Sequence, residues 1–337
     1  MQKKTTVLLL NLGTPKSPKV SDVRTYLFEF LNDRRVIDIP WLLRKILVNL
    51  IIVPFRSKAS SKIYKQLWTK DGSPLLIYAE KVKDLLQKEL DNNFTVEIAM
   101  RYEQPSMKNV LRKIQKNMPD QLIILPMYPQ YASSSTGSTF EKAMEIIKKW
   151  EVIPEVKFIN QFFDHQGYLE TIAEQARKHN IDDFDHVIFS YHGLPIRQIN
   201  KVHPHRNCFD CDCHKQFKPD TDYYCYRATC FETSRLLAEK LGISKEKYTV
   251  SFQSRLDKNW LEPFSDKIVE EKAKNGAKKL LVFSPAFVAD CLETTVEIGI
   301  EYREIFTKNG GDKLVLVESL NDHPKWIATL KDLVLNR

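Results

Sequence analysis

Eight short runs of leucine and β-branched residues recur along the chain: Thr6–Asn11, Phe94–Met100, Gln121–Pro126, Val156–Asn160, His186–Tyr191, Tyr248–Phe252, Lys279–Ser284 and Lys313–Glu318. Several are apolar without alternation, the pattern of strands covered on both faces. Between them lie segments whose apolar positions return at helical spacing: Ala79–Leu90, Met107–Asn117, Phe140–Trp150, Gly167–His179, Thr229–Leu241, Ser265–Asn275 and Thr294–Lys308. Strands that alternate with helices predict an α/β chain with parallel, doubly wound sheets. A short internal repeat predicts two such sheets. Val7–Pro15 reads strand, then Asn-Leu-Gly-Thr-Pro; Val187–Pro195 reads strand, then Tyr-His-Gly-Leu-Pro. Each is followed by a second strand ending in a proline-broken loop, Leu125–Pro129 and Phe283–Phe287. Ligands in such sheets sit at the carboxyl ends of strands, so the expected site is a cleft between the halves, residues 1–160 and 161–337.

Composition narrows the picture. A length of 337 residues suits about two domains. With 43% hydrophobic and 28% charged residues, disordered and collagen-like chains are set aside. The formal net charge of +8 admits anionic ligands or lipid surfaces without calling for nucleic acid, and no nucleic-acid partner is expected. No apolar stretch reaches the ~20 residues that span a bilayer. The opening Met1–Val7 lacks the apolar core of a secretory signal, which points to the cytoplasm. Neither G-x-G-x-x-G nor a P-loop pattern occurs and glycine is sparse, so no nucleotide cofactor is expected.

His192 follows a predicted strand in Phe189-Ser190-Tyr191-His192-Gly193-Leu194-Pro195. An imidazole there can exchange protons near neutral pH; the plainer reading is a capping histidine. Glu293, Glu297 and Glu301 recur every four residues after Asp290-Cys291 and share one helix face. Like charges so spaced repel by a few tenths of a kcal/mol, which a solvated surface tolerates. A carboxylate row entering a cleft suits a divalent cation or a proton relay. The hydroxyl-rich Ser133–Thr139 precedes a helix and is suited to capping it. Trp41–Phe55 is strongly apolar with Arg44, Lys45 and Arg56 on its flanks, the make-up of a lip for a bilayer or a greasy ligand, or of ordinary core.

Five of the six cysteines lie close together: Cys208-x2-Cys211-x-Cys213-x11-Cys225-x4-Cys230. A local cluster reads as a metal site within 203–230 rather than a disulfide frame. Four thiolates suit zinc or a [2Fe–2S] cluster, and His203, His205 and His214 nearby also suit zinc.

Taken together and in order, these segments resemble the ferrochelatase family across nearly the whole chain: Asn11–Pro15, Phe30–Arg35, Gly72–Pro74, Arg101-Tyr102, Pro129–Tyr131, Tyr191–Pro195, Phe252–Arg255 and Phe287–Thr294. The resemblance implies two Rossmann-like halves and insertion of Fe(II), a substrate, into a porphyrin to make haem, a lyase activity. It implies that His192 is the active-site histidine, Glu293 the essential glutamate and Asp290 a neighbouring carboxylate. Glu297 and Glu301 continue a metal or proton path. It further implies that Leu12, Arg101, Tyr131 and Phe287 line the pocket, Trp260 matches a pocket tryptophan, and Arg56, Tyr64 and Ser73 lie near the propionates. Leu12 stands where coproporphyrin-type members resemble one another in having tyrosine, which favours protoporphyrin IX. The preceding Leu256–Asn259 departs from the family pattern by one residue. The segment around His205–Tyr226 resembles an insertion. Cys230 matches a cysteine of members without a cluster, so the implied [2Fe–2S] ligands are Cys208, Cys211, Cys213 and Cys225, with Cys230 as a substitute. A peripheral membrane contact through the lip stays open. So do a chelatase for another tetrapyrrole or metal, such as coproporphyrin III, cobalt or nickel, and a porphyrin carrier without activity.

Overall fold

The computed structural model describes residues 3–203 and 207–336. Its strands are β1 (Thr5–Asn11), β2 (Phe94–Met100), β3 (Gln121–Pro126), β4 (Glu155–Phe158), β5 (His186–His192), β6 (Tyr248–Gln253), β7 (Lys279–Phe283) and β8 (Lys313–Leu316). They form two four-stranded sheets of order β2-β1-β3-β4 and β6-β5-β7-β8. Every pairing is parallel. The two stretches linked by the sequence repeat are the equivalent central strands β1 and β5, and the proline-broken loops follow the equivalent strands β3 and β7. The fold is α/β with two doubly wound sheets.

By internal contacts the chain divides into two units, residues 1–161 with 321–337, and Phe162–Leu320. The second half expected as 161–337 therefore ends earlier, and the last helix packs with the first unit. In that unit α1 (Val20–Leu31), α2 (Trp41–Ile46), a π-helical turn (Leu47–Ile52), α3 (Val53–Leu67) and α4 (Pro74–Glu89) connect β1 to β2. Then α5 (Met107–Asn117) and α6 (Ser138–Ile147) cover the sheet face carrying Leu8, Leu10, Ala99, Leu122 and Ile124. These side chains alternate along their strands, as the pleat requires.

The second unit holds α7 (Gln166–Ala176), α8 (Ile196–Asn200), α9 (Pro219–Asp222), α10 (Tyr226–Leu241), α11 (Ser265–Lys274), a π-helical segment (Leu292–Tyr302) and α12 (Arg303–Lys308). Ile188, Leu280, Val282 and Leu314 on its sheet pack against Val269, Ala273, Ile298, Tyr302 and Phe306. The final helix, α13 (Pro324–Asn336), brings the fully buried Trp326. Among the described residues no helix is long and apolar enough to cross a membrane.

Two further expectations change. The predicted helix Thr294–Lys308 begins earlier and is π-helical to Tyr302, a wider winding that is rare and concentrated at functional positions. The hydroxyls of Ser133–Thr139 cap neither the short π-helical turn at Ser133–Gly137 nor α6. Ser133 and Ser138 serve arginine side chains instead.

Candidate active site

In the second unit the site is built where β5 and β6 end. His192 is the last residue of β5 and pairs with Gln253, the last of β6. Beyond it Gly193 N donates to Gln253 O at 2.7 Å. Only glycine fits at 193: an added Cβ would lie 2.8 Å from Gln253 O and 3.3 Å from the Trp260 ring. The His192 imidazole is half-buried and hydrogen-bonds through Nδ1 to Gly193 O at 2.7 Å. A carbonyl only accepts, so Nδ1 carries the proton and Nε2 keeps the lone pair in the neutral ring. The Trp260 and Phe287 rings each lie 6.5 Å from the His192 ring, centre to centre.

Gln253 joins this histidine to the acidic row. Its Oε1 accepts from the buried Ser190 Oγ at 2.7 Å. Its Nε2 donates to the backbone O of Glu293 and to Glu297 Oε2, both at 3.0 Å. Glu297 also accepts from Ser254 N and Tyr302 Oη at 2.9 Å each, and from Ser254 Oγ. Ser254 takes a φ of 63°, the left-handed turn that aims its amide at the carboxylate. Glu297 is thus pinned. Glu293, at the start of the π-helical segment, and Asp290 before it are half-buried, while Glu301 is exposed. Partial desolvation of its carboxyl, then the Glu297 and Glu304 carboxylates, raise the otherwise exposed Glu301 above its usual range. Burial, then the Glu293 carboxylate, likewise raise the Cys291 thiol.

In the first unit, Leu12 and Arg101 stand directly after strands, while Arg56 and Tyr64 lie on α3 and Ser73 precedes α4. Leu12 follows β1, with its carbonyl accepting from Tyr102 N at 2.9 Å. Gly13 allows this approach, since a Cβ there would sit 2.0 Å from Tyr102 O. Arg101 follows β2; its guanidinium pairs with Asp33, and its Nε donates to Ser138 Oγ at 2.7 Å. Asp33 also accepts from Tyr102 Oη (2.9 Å), Ser138 Oγ (2.5 Å) and Arg35 N (2.7 Å). Burial alone would raise this carboxyl; the Ser138 and Arg35 bonds and the Arg101 charge hold it below the usual range. Tyr131 N donates to Gln161 Oε1 at 3.2 Å. Ser73 is buried and accepts from Thr14 Oγ1 at 3.0 Å. Tyr64 packs edge-on against Tyr26, and Arg56 is exposed on α3.

The cysteines are all buried and none is in a disulfide. Among the described residues no three or more His, Cys, Asp or Glu side chains stand together as a metal-holding group. The thiols are nonetheless neighbours. Cys213 N donates to Cys211 Sγ at 3.3 Å. The neighbouring Cys225 thiol first, then burial, push the Cys213 thiol up, and Cys208 is pushed up to about 11 by burial. Arg227 Nη1 donates to the carbonyls of Cys208 (3.3 Å) and Cys211 (3.2 Å) and to Cys213 Sγ (3.4 Å). Cys230 is fully buried within α10, where its thiol hydrogen-bonds with the Tyr226 side chain and feels Cys213. His205 lies outside the described residues.

Comparison with known proteins decides the family. The ferrochelatase family model matches residues 4–337. The chain belongs to the ferrochelatase family. A ferrochelatase of Coxiella burnetii is 42% identical over 331 residues, 96% of this chain and 91% of that protein. One from Legionella pneumophila is 41% identical, covering 97% and 98%. Among solved structures, SirB from Bacillus subtilis with Fe3+ superposes with a TM-score of 0.55 at 9% identity, over 98% of this chain and 94% of that one. The sirohydrochlorin chelatase SirB from Bacillus subtilis subspecies spizizenii in complex with cobalt also gives 0.55 at 9%, over 99% and 93%. These two agree in fold. The chain is an enzyme of haem biosynthesis, a lyase inserting iron into a porphyrin.

The sequence alone assigns no role to Gln253, Asp33 or Tyr226. Gln253 and Asp33 sit inside the segments that resemble the family, Phe252–Arg255 and Phe30–Arg35. The available signal was a polar residue closing an apolar strand, and an aspartate beside two arginines. Neither spacing reveals which distant groups they bind.

Proposed function

We propose that this enzyme inserts Fe(II) into protoporphyrin IX, with His192 as the base that removes the two pyrrole protons. The observation that carries this reading is the Gln253 bridge, which ties the His192 strand end to the start of the acidic π-helical segment. Iron displaces two N–H protons and binds four ring nitrogens, so two protons leave for each iron that enters. The unprotonated Nε2 of His192 is the acceptor, and general-base catalysis of this kind contributes ~10²–10⁴-fold. Glu293 and Asp290 present iron or carry protons off, and Glu297 and Glu301 continue that path. Trp260 and Phe287 flank the histidine and supply apolar wall. In the first unit, Leu12, Arg101 and Tyr131 are the proposed porphyrin contacts, and Arg56, Tyr64 and Ser73 serve the propionates. Leu12 in place of tyrosine supports protoporphyrin IX over coproporphyrin III.

Two further roles belong to this reading. Cys208, Cys211, Cys213 and Cys225 hold a [2Fe–2S] cluster. Support comes from four buried thiols with no disulfide and a guanidinium donating to Cys213 Sγ. When bound, the cluster ties the segment together and makes folding depend on iron supply. The second is peripheral contact with a bilayer through the apolar faces of α2, the π-helical turn and α3. Trp41, Leu50 and Phe55 are 64%, 67% and 78% exposed, while Arg44 turns inward to the carbonyls of Ile37 and Ile39.

The test is anaerobic assay of the purified protein with Fe(II) and protoporphyrin IX, after recording the spectrum of the protein alone. H192A and E293Q are each expected to lose at least ~10²-fold in turnover while still binding porphyrin. Near-normal turnover in H192A removes the base from His192. Visible iron–sulfur bands assign the cysteines to the cluster; stoichiometric zinc without such bands replaces it.

A further inference from the structure

The peptide between His192 and Gly193 is held on both sides. Its N–H, from Gly193, donates to Gln253 O at 2.7 Å. Its C=O, from His192, accepts from Tyr226 Oη at 2.9 Å. The plane of this peptide sets the backbone turn from which the imidazole projects, and Gly193 O in turn holds Nδ1. Tyr226 is buried at the first turn of α10. Its neighbours on either side reach the cysteine segment: Cys225 faces Cys213, and Arg227 binds the Cys208 and Cys211 carbonyls and Cys213 Sγ. Three consecutive residues therefore join the thiols to the turn that carries His192.

We propose that Tyr226 is a positioning residue for His192 and transmits the order of the cysteine segment to it. The inference rests on His192 being the base. Without the phenol, the His192 carbonyl loses this donor and one of the two anchors of the peptide is gone. The bond engages a backbone carbonyl and none of the side chains proposed to contact the porphyrin. The cost falls on the chemical step, since a small misplacement of a reacting group lowers rate more than affinity.

The experiment uses the full-length protein, with kinetics on Fe(II) and protoporphyrin IX, porphyrin binding by fluorescence, and amide hydrogen exchange of the peptide covering residues 189–194. In Y226F, kcat is expected to fall about tenfold with KM and porphyrin affinity within about twofold, and exchange over 189–194 to quicken. R227M, which loosens the cysteine segment but keeps the phenol, is expected to lower kcat in the wild-type background and to add little to Y226F. Wild-type kcat and exchange in Y226F overturn the positioning role; strictly additive losses in the double variant overturn the transmission. H192A runs alongside. If H192A turns over normally, the base assignment fails; if H192A is inactive while Y226F is normal, only this inference fails. Should Y226F fold poorly, unchanged exchange over 189–194 in R227M overturns the transmission on its own.

Discussion

A methyl group at position 193 is the smallest change that tests the site. In G193A the new Cβ would meet Gln253 O at 2.8 Å, and a backbone carbonyl cannot step aside as a flexible side chain would. The β5–β6 ends must part, moving His192 relative to Gln253 and the acidic segment. We expect a loss of ~1–3 kcal/mol in stability and at least about tenfold in kcat, read by denaturant melts and insertion assays. A fully active G193A would mean that this close approach does not matter. Glu297 and Asp33 show the same logic for charge. Each is a carboxylate that accepts several hydrogen bonds, and each fixes a neighbour expected to meet substrate, Glu293 through Gln253 in one case and Arg101 in the other. Sequence spacing suggested a shared face for Glu293, Glu297 and Glu301, but not that the middle carboxylate is pinned by Ser254, Gln253 and Tyr302.

Among the elements, β5 carries a pH-sensitive residue away from the site. His186 opens the strand, with its Nε2 2.8 Å from Thr249 Oγ1. Burial first, then the Lys272 charge, push its imidazole down to about 4. An ordinary histidine titrates near ~6.5, so the unfolded chain binds this proton more readily than the folded one. The stability it contributes is complete above about pH 6.5 and is lost as pH falls through about 4. H186Q should flatten the fall of Tm across that window, a difference on the order of 1–2 kcal/mol after allowance for solvent screening; an unchanged slope removes the explanation. The lip is the second element to test. Replacing Trp41, Leu50 and Phe55 with serine together should abolish flotation with phospholipid vesicles, since each large apolar side chain moved out of water contributes ~1.5–3 kcal/mol. Insertion into detergent-dispersed porphyrin should stay as in the parent. Flotation that survives the triple change would place any lipid contact elsewhere.

At the scale of the whole molecule, the chain leaves the first unit after Gln161 and returns to it at Asn321. Its last helix packs with α4 and sinks Trp326 completely. W326A should cost about 3–5 kcal/mol, and the loss should fall on the first unit, so that thermal unfolding splits into two transitions. A single, slightly shifted transition would mean that the units unfold as one. The periodicity of apolar residues was enough to mark all eight strands and their parallel pairing, because a strand covered on both faces must be apolar throughout and a doubly wound chain must alternate it with helices. Residue type and spacing, not periodicity, singled out His192, the acidic row and the cysteines as candidates. What lay beyond both were contacts between residues distant in sequence. The return of the last helix, the Gln253 bridge and the Tyr226 bond to the His192 carbonyl each join groups at least about a helix apart. Local pattern records whether a residue is buried. Which hydrogen-bond partner satisfies it is decided only when the sheets and helices are assembled, because a buried donor or acceptor takes whatever partner the packing brings within reach.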